Sequence, residues 1–294
     1  MPGFFDASPG PGTAKPILGK ARRTIPLKSL CLLSNYPKTM NLLRIVLLAI
    51  ALIAGSTSVR AQNENSAPEE STQETTMSLE RIKEIKKEVQ ITKSPYYYPE
   101  LLKRFRQGDS TINVTECYHI YYGFSNESEY IPYGAMEELE ELQQLVYNSK
   151  IPLEPERVHA LAKTLETNYP VGLRFLLVMA VAESRQQIFD GPYKIRFNQI
   201  LDAILTSGRG TSMEERMYVI TTSDEYVVLN VLELDFVGQS LINQTDKMSV
   251  NPDNEYGIEA LYFDVSIPFS HLSSMMKDKV QVPNSDKKAR KNKK

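Results

Sequence analysis

The sequence predicts an α+β domain, with helical hairpins first and an antiparallel β-meander after them. Two observations carry this. From Ser78 to Ser207–Gly208, apolar residues recur three and four positions apart, the spacing of one helix face. After Gly210 the period falls to two, and dense turn chemistry such as Asn251–Gly257 (NPDNEYG) separates the runs. Runs of helices followed by runs of strands belong to the α+β class. One domain is expected over 78–276, with a helical part at 78–208 and a β-rich part at 215–267.

Ahead of that domain the chain reads as processing signals. Residues 1–39 are rich in Pro and Gly, show no sustained periodicity and are expected to be a gene-model extension. Met40 opens a secretory signal at 40–61: Arg44 supplies the positive charge, Ile45–Ala54 is an apolar run, and Val59-Arg60-Ala61 precedes a cleavage point between Ala61 and Gln62. Ten apolar residues rise about 15 Å as a helix, half of the hydrocarbon core, which argues against the competing reading as a membrane anchor. Residues 62–77 (QNENSAPEESTQETTM) are acidic and nearly free of apolar side chains, so they are expected to be a disordered linker. The expected address is periplasmic or secreted.

Removing residues 1–61 shifts the charge. They hold eight of 34 basic and one of 36 acidic residues, so the mature chain carries 26 against 35, a formal charge of −9. Its basic residues gather in Lys287–Lys294, part of a basic tail expected at 277–294. Nucleic-acid binding works by neutralising phosphates, and an acidic body offers no continuous footprint for it. Of the two cysteines, Cys31 precedes the signal, leaving Cys117 alone. One thiol makes no intramolecular disulfide, so an exported domain of this kind must be stable through its core.

Taken in order, Ser78 caps a charged helix with a narrow stripe of Leu79, Ile82, Ile85 and Val89. Pro95 and Pro99 bracket Tyr96-Tyr97-Tyr98, and Glu100–Arg106 is a short helix closed by Gly108. The stretch Asn113–Tyr133 holds five of the sixteen tyrosines. There Asn113 and Glu116 form a capping-box pattern. Cys117, Ile120, Tyr121 and Phe124 fall on one buried stripe, flanked by Tyr118 and Tyr122, with His119 expected to face outward. Gly123 is expected to end that helix early, and Ile131-Pro132-Tyr133 leaves it as extended chain. Helices follow at 135–147, at 155–168 and at 171–186, the third apolar almost all round. The last two, joined at Asn168-Tyr169-Pro170, are weakly tetratricopeptide-like, without a second copy at a 34-residue period. Phe197, Ile200, Leu201 and Ile204 mark one more helix, stopped at Ser207–Gly208.

In the β-rich part, Met217–Thr221 is a short buried strand. Ser223-Asp224-Glu225 resembles a helix start, while Tyr226–Val231 is β-branched enough to leave 224–232 open between helix and strand. Leu234–Ile242 and Lys247–Val250 read as strands. The last strand points Leu261, Phe263, Val265 and Ile267 to one side and Tyr262, Asp264 and Ser266 to the other.

No catalytic motif stands out. On a helix Cys117 and His119 lie about 200° apart and cannot share a metal or a proton. There is no HExxH, CxxC pair or EF-hand loop, and no cofactor or metal is expected. Ser274–Lys277 spells S-x-x-K without its companion motifs. The Ser207–Ser212 loop follows a helix and precedes a strand, the reverse of a P-loop. The tyrosines are the better hint. Rings serve peptide and glycan surfaces as well as cores, and Tyr118, His119, Tyr122 and Tyr133 are the candidate binding residues.

Gly108-Asp109, Tyr121-Tyr122-Gly123, Pro132-Tyr133, Ser207-Gly208 with Gly210, Glu225-Tyr226, Gln239-Ser240-Leu241 and Tyr262-Phe263-Asp264 occur in that order over 95–270. Together they resemble a secreted, mostly bacterial family, domain of unknown function 4919. The resemblance implies domain limits and a secreted address, and transfers no functional residue. The expectation is an exported binding or structural module with a protein, peptide or glycan partner, no nucleic acid and no integral membrane segment in the mature chain. The alternative is an envelope hydrolase that gathers Asp109, Glu225 and Asp264 by folding.

Overall fold

The computed structural model describes residues 77–133, 136–148, 152–188 and 191–280, with side chains through 274. The expected signal peptide, its Ala61–Gln62 junction, the linker up to residue 76 and the tail beyond 280 lie outside the described residues.

The helical part comprises α1 (Leu79–Glu88), α2 (Tyr98–Arg106), α3 (Val114–Phe124), α4 (Glu137–Tyr147), α5 (Pro155–Asn168), α6 (Leu173–Arg185) and α7 (Pro192–Leu205). Then come β1 (Met217–Tyr218), α8 (Thr222–Val231), β2 (Phe236–Ile242), β3 (Thr245–Val250), β4 (Ala260–Asp264) and α9 (Ser266–Val280). The architecture is a helical bundle followed by a small mixed sheet.

Local chemistry sets the helix starts. Ser78 accepts from the Arg81 N–H at the start of α1. At α3 the capping box is complete: Asn113 Oδ1 accepts from the Glu116 N–H, and Glu116 Oε2 accepts from the Asn113 N–H. Such a cap is worth about 1 kcal/mol. Proline stands in the first turn of α2, α5 and α7, where its missing N–H has no partner to lose.

Helix α3 is the inner one. It packs against α1, α2 and α7, while α7 lies against α6 and β1. Seven of its eleven residues are buried as a result, Gly123 among them. Gly123 does not end the helix; it sits inside it, facing the Tyr98 ring and Val89 at the α1–α2 corner. Gly108 does close α2, at φ 71°, and its Cα passes so near α7 that a side-chain carbon would stand 2.7 Å from Pro192 Cα. Only glycine suits both demands. Helix α6 buries Leu173, Phe175, Leu176, Leu177, Val178, Met179 and Ala182, as its all-round apolar sequence predicts. Each large side chain so buried contributes about 1.5–3 kcal/mol. The pair expected to form a tetratricopeptide-like hairpin packs otherwise: α5 lies mainly on α4, and α6 mainly on α7 and α4.

The four strands run in the order β1-β4-β3-β2. β2, β3 and β4 pair antiparallel, but β1 joins β4 in parallel, so the sheet is mixed and not a pure meander. The reason is α8, which stands between β1 and β2 and carries the chain across the sheet. The open choice at 224–232 is settled as helix, capped by Thr221, whose hydroxyl accepts from the Ser223 N–H. Burial of Val227, Val228 and Leu229 outweighs their β propensity. The last strand is shorter than expected. It stops at Asp264, whose carboxylate accepts from the Ser266 N–H and hydroxyl and so starts α9. Val265 and Ile267 therefore do not extend it, and α9 runs through residue 277, where the tail was expected to begin, to Val280.

Candidate functional site

The candidates from Asn113–Tyr133 separate once folded. His119 is fully buried, which corrects the expectation that it faces outward. Its ring lies flat on Tyr96, 3.8 Å between centroids. Nδ1 meets the Thr115 carbonyl at 2.7 Å and Nε2 meets Glu88 Oε2 at 2.5 Å. Periodicity within α3 marks the stripe facing α7 and is blind to α1, which covers the opposite side. Arg81 holds the Glu88 carboxyl below its usual range, with His119 adding to the effect.

Tyr122 is buried too, and donates to the Tyr218 carbonyl at 3.2 Å. Tyr118 is half-buried and donates to Thr206 Oγ1 at 2.8 Å. Tyr121 donates to Asp224 Oδ2 at 2.7 Å and accepts from the Ile220 N–H at 3.1 Å. Tyr121 and Tyr122 tie α3 to the strand–helix junction 218–224, and Tyr118 ties it to the end of α7. Cys117 is buried and its thiol is pushed up to about 12, chiefly by desolvation.

Tyr133 is the candidate that reaches the surface, 43% exposed. It lines a cleft of about 250 Å³ together with apolar Ile131, Pro132, Met136 and Leu139. Tyr169, Arg174, Glu140 and the cap and first turn of α8, Thr221–Ser223, add polar groups to the lining. A helix start carries partial positive charge, so the α8 turn, although the Thr221 hydroxyl already takes the Ser223 N–H, and the Arg174 guanidinium both favour an anionic group. Gln143 Oε1 accepts from Arg174 and steers the guanidinium. Tyr169 and Ser223, both lining residues, share a hydroxyl hydrogen bond of 3.2 Å.

Behind this turn lie three carboxyls. Asp224 is fully buried; Oδ1 accepts from the Leu173 N–H at 3.2 Å and Oδ2 from Tyr121. Desolvation raises it to about 7. Glu225 is also fully buried, and neither oxygen meets a donor group among the described residues. Its neighbour is Asp246 on β3. Two carboxyls side by side satisfy each other only when one keeps its proton, and desolvation followed by the Asp246 charge raises Glu225 to about 9. Asp246 accepts from Gln239 Nε2 at 2.7 Å, and Gln239 Oε1 accepts from the Tyr226 hydroxyl at 2.8 Å. Tyr133 lies within electrostatic reach of both carboxyls.

The carboxylates considered for a hydrolase do not converge. Asp109 is tied to Arg104 and Thr111 between α2 and α3. Asp264 pairs with Arg216, and lies on the opposite face of β4 from Phe263, which stands opposite Asp246. His119 is paired with Glu88 of α1, and His271 meets Tyr130 edge-on. Among the described residues no group of three or more His, Cys, Asp or Glu is placed to hold a metal ion, and no helix is long and apolar enough to cross a membrane.

A family model, domain of unknown function DUF4919, matches residues 83–274. The chain belongs to the DUF4919 family. That span runs from within α1 to within α9 and takes in every element between them, so the bundle and the sheet are parts of one DUF4919 domain. No curated protein and no solved structure matches the chain. Of the residues that line this cleft, the sequence of this DUF4919 chain singles out Tyr133 and gives no signal for Arg174, Tyr169 or the Thr221–Ser223 turn. Arg174 sits in a helix read as apolar all round, where a single cation gives no local signal. Thr221 became visible as a cap only once α8 was settled as a helix.

Proposed function

We propose that the chain is an exported binding module, and that the cleft beside Tyr133 holds an extended peptide segment through a carboxylate. One observation carries the reading: apolar Ile131, Pro132, Met136 and Leu139 and polar Arg174 and Thr221–Ser223 line the same space of about 250 Å³. In such a site the apolar residues take an aliphatic or aromatic side chain, and the polar residues take the carboxylate beside it. Tyr133 adds a half-exposed ring to that lining. The export part rests on the Met40–Gln62 pattern and the acidic mature chain.

The test compares short N-acetylated peptides ending in an apolar residue, each as the free acid and as the amide, by calorimetric titration. A charge-assisted hydrogen bond is worth about 1.5–3 kcal/mol, so amidation is expected to weaken binding roughly 10- to 100-fold. Equal affinity for acid and amide, or no binding by any member, contradicts the reading.

A second reading, acid–base chemistry, draws on the Glu225–Asp246 pair, whose raised proton affinity is the kind that catalytic carboxyls show. Against it, Glu225 has no exposed surface and does not line the cleft. Loss of a measurable hydrolytic turnover in a folded Glu225→Gln variant would favour this reading over binding.

A further inference from the structure

Among the described residues strand β2 is an edge of the sheet, and it lacks two of the usual protections. Its seven residues, FVGQSLI, include no charge and no proline. Natural edge strands normally carry one or the other to prevent pairing with another chain. Three of its apolar side chains stand in solvent instead: Val237 at 68%, Leu241 at 51% and Ile242 at 42% exposure.

The hydrogen-bond pattern fixes which groups are open. The Val250 N–H donates to the Glu259 carbonyl, so Val250, and by alternation Met248 and Asp246, turn their polar backbone toward β4. Ser249, Lys247 and Thr245 therefore turn toward β2, where they meet Gly238, Ser240 and Ile242. Gln239 and Leu241 are left with N–H and C=O directed away from the sheet. Ahead of Gly238 a bulge at Val237 breaks the ladder, so the regular open edge is Gly238–Ile242.

We propose that β2 pairs antiparallel with β2 of a second copy of this chain, about a two-fold axis at Ser240. Antiparallel self-pairing keeps each residue on its own face only when the axis passes through a residue. An axis at Gln239 would set Leu241 against the bulge. An axis at Ser240 sets Gln239 opposite Leu241 of the second copy, and all four open N–H and C=O groups on each strand are satisfied. The side chains agree with this register. Ile242 comes opposite Gly238 of the other copy, where a side-chain carbon would meet nothing within 4 Å, so there is room for it. Leu241 covers Gln239 of the other copy, whose amide bridges Tyr226 and Asp246. The result is one eight-stranded sheet running through both copies.

The test uses the purified full chain with Cys31→Ser, so that buried Cys117 is its one native thiol. A Ser240→Cys variant is expected to form a disulfide-linked dimer under mild oxidation, because the two Ser240 Cα atoms would face each other as a non-hydrogen-bonded pair about 4.5 Å apart. A Lys247→Cys variant, one strand further from the axis on each side, is expected to stay unlinked, as is the Cys31→Ser parent. In sedimentation velocity, Leu241→Lys/Ile242→Lys is expected to raise the dimer dissociation constant at least about tenfold with unchanged thermal stability, since both side chains are exposed. A chain that stays monomeric into the high-micromolar range overturns the proposal. So does equal cross-linking at residues 240 and 247, or dimerisation that the lysines leave unchanged.

Discussion

The Tyr121 hydroxyl donates to Asp224 Oδ2 at 2.7 Å, joining the inner helix α3 to the first turn of α8. The same oxygen atom of Tyr121 accepts from the Ile220 N–H, and Asp224 Oδ1 accepts from the Leu173 N–H. Four segments meet at two side chains: α3, the β1 exit, α6 and α8. The cleft beside Tyr133 takes polar lining residues from two of them, so its shape depends on this buried junction.

Tyr121→Phe leaves the Asp224 oxygen and the Ile220 N–H without their partner. Each buried group left unpaired costs about 1–3 kcal/mol. Chemical denaturation is expected to show a loss of about 2–4 kcal/mol, with the slope against denaturant unchanged. A loss under 1 kcal/mol would mean that water reaches the junction.

Stability is expected to fall as pH rises. Glu225 is raised from 4.5 to about 9 and Asp224 from 3.8 to about 7, so between their unfolded and folded values the native state holds more protons than the unfolded chain. Stability then decreases with pH across that interval. The contribution of Asp224 is fully present below pH 4 and lost by pH 7, and that of Glu225 declines from about pH 4.5 to 9. Glu225→Gln removes the second part, and its amide can donate to Asp246. Melting curves are expected to show the variant gaining on the parent as pH rises from 5 to 9. Parallel pH profiles for the two proteins would contradict this account of the pair.

How much of this was legible in the sequence depends on where each signal lies. The helices at 79–88, 114–124 and 192–205 follow from caps and apolar spacing because those signals are local. His119 was misread because its covering helix is α1, more than thirty residues earlier, and no periodicity within α3 reports a second packed side. The parallel β1–β4 pair likewise joins Met217 to Phe263 across an intervening helix and hairpin. The cleft combines residues 131–140, 169–174 and 221–223, which only the fold brings together. Tyr133 is the one lining residue that the sequence singled out, because a tyrosine after Ile-Pro in extended chain is a local signal.

His119 is expected to matter for stability and not for binding. His119→Ala removes the stack on Tyr96 and both ring hydrogen bonds, and opens a cavity between α1 and α3. A loss of about 2–4 kcal/mol is expected, in line with large-to-small core changes. Affinity at the Tyr133 cleft, measured at a temperature where the variant is folded, is expected to be unchanged within about twofold. A tenfold loss of affinity would return His119 to the binding site.

Cys117 is expected to be inert in the folded protein. It is buried with its thiol raised to about 12, so almost no thiolate exists near neutral pH. An aromatic disulfide reagent is expected to modify residue 117 only on unfolding, at the rate of global opening. Prompt labelling of the native chain at residue 117 would show that the α3–α7 contact opens locally.

The cleft itself is tested most directly by amide hydrogen exchange with and without a saturating free-acid peptide. The account predicts slowed exchange at residues 131–133, 136–140 and 221–224, with no change around Tyr118 and Thr206. Protection confined to the α3–α7 surface, or none in the first turn of α8, would contradict it.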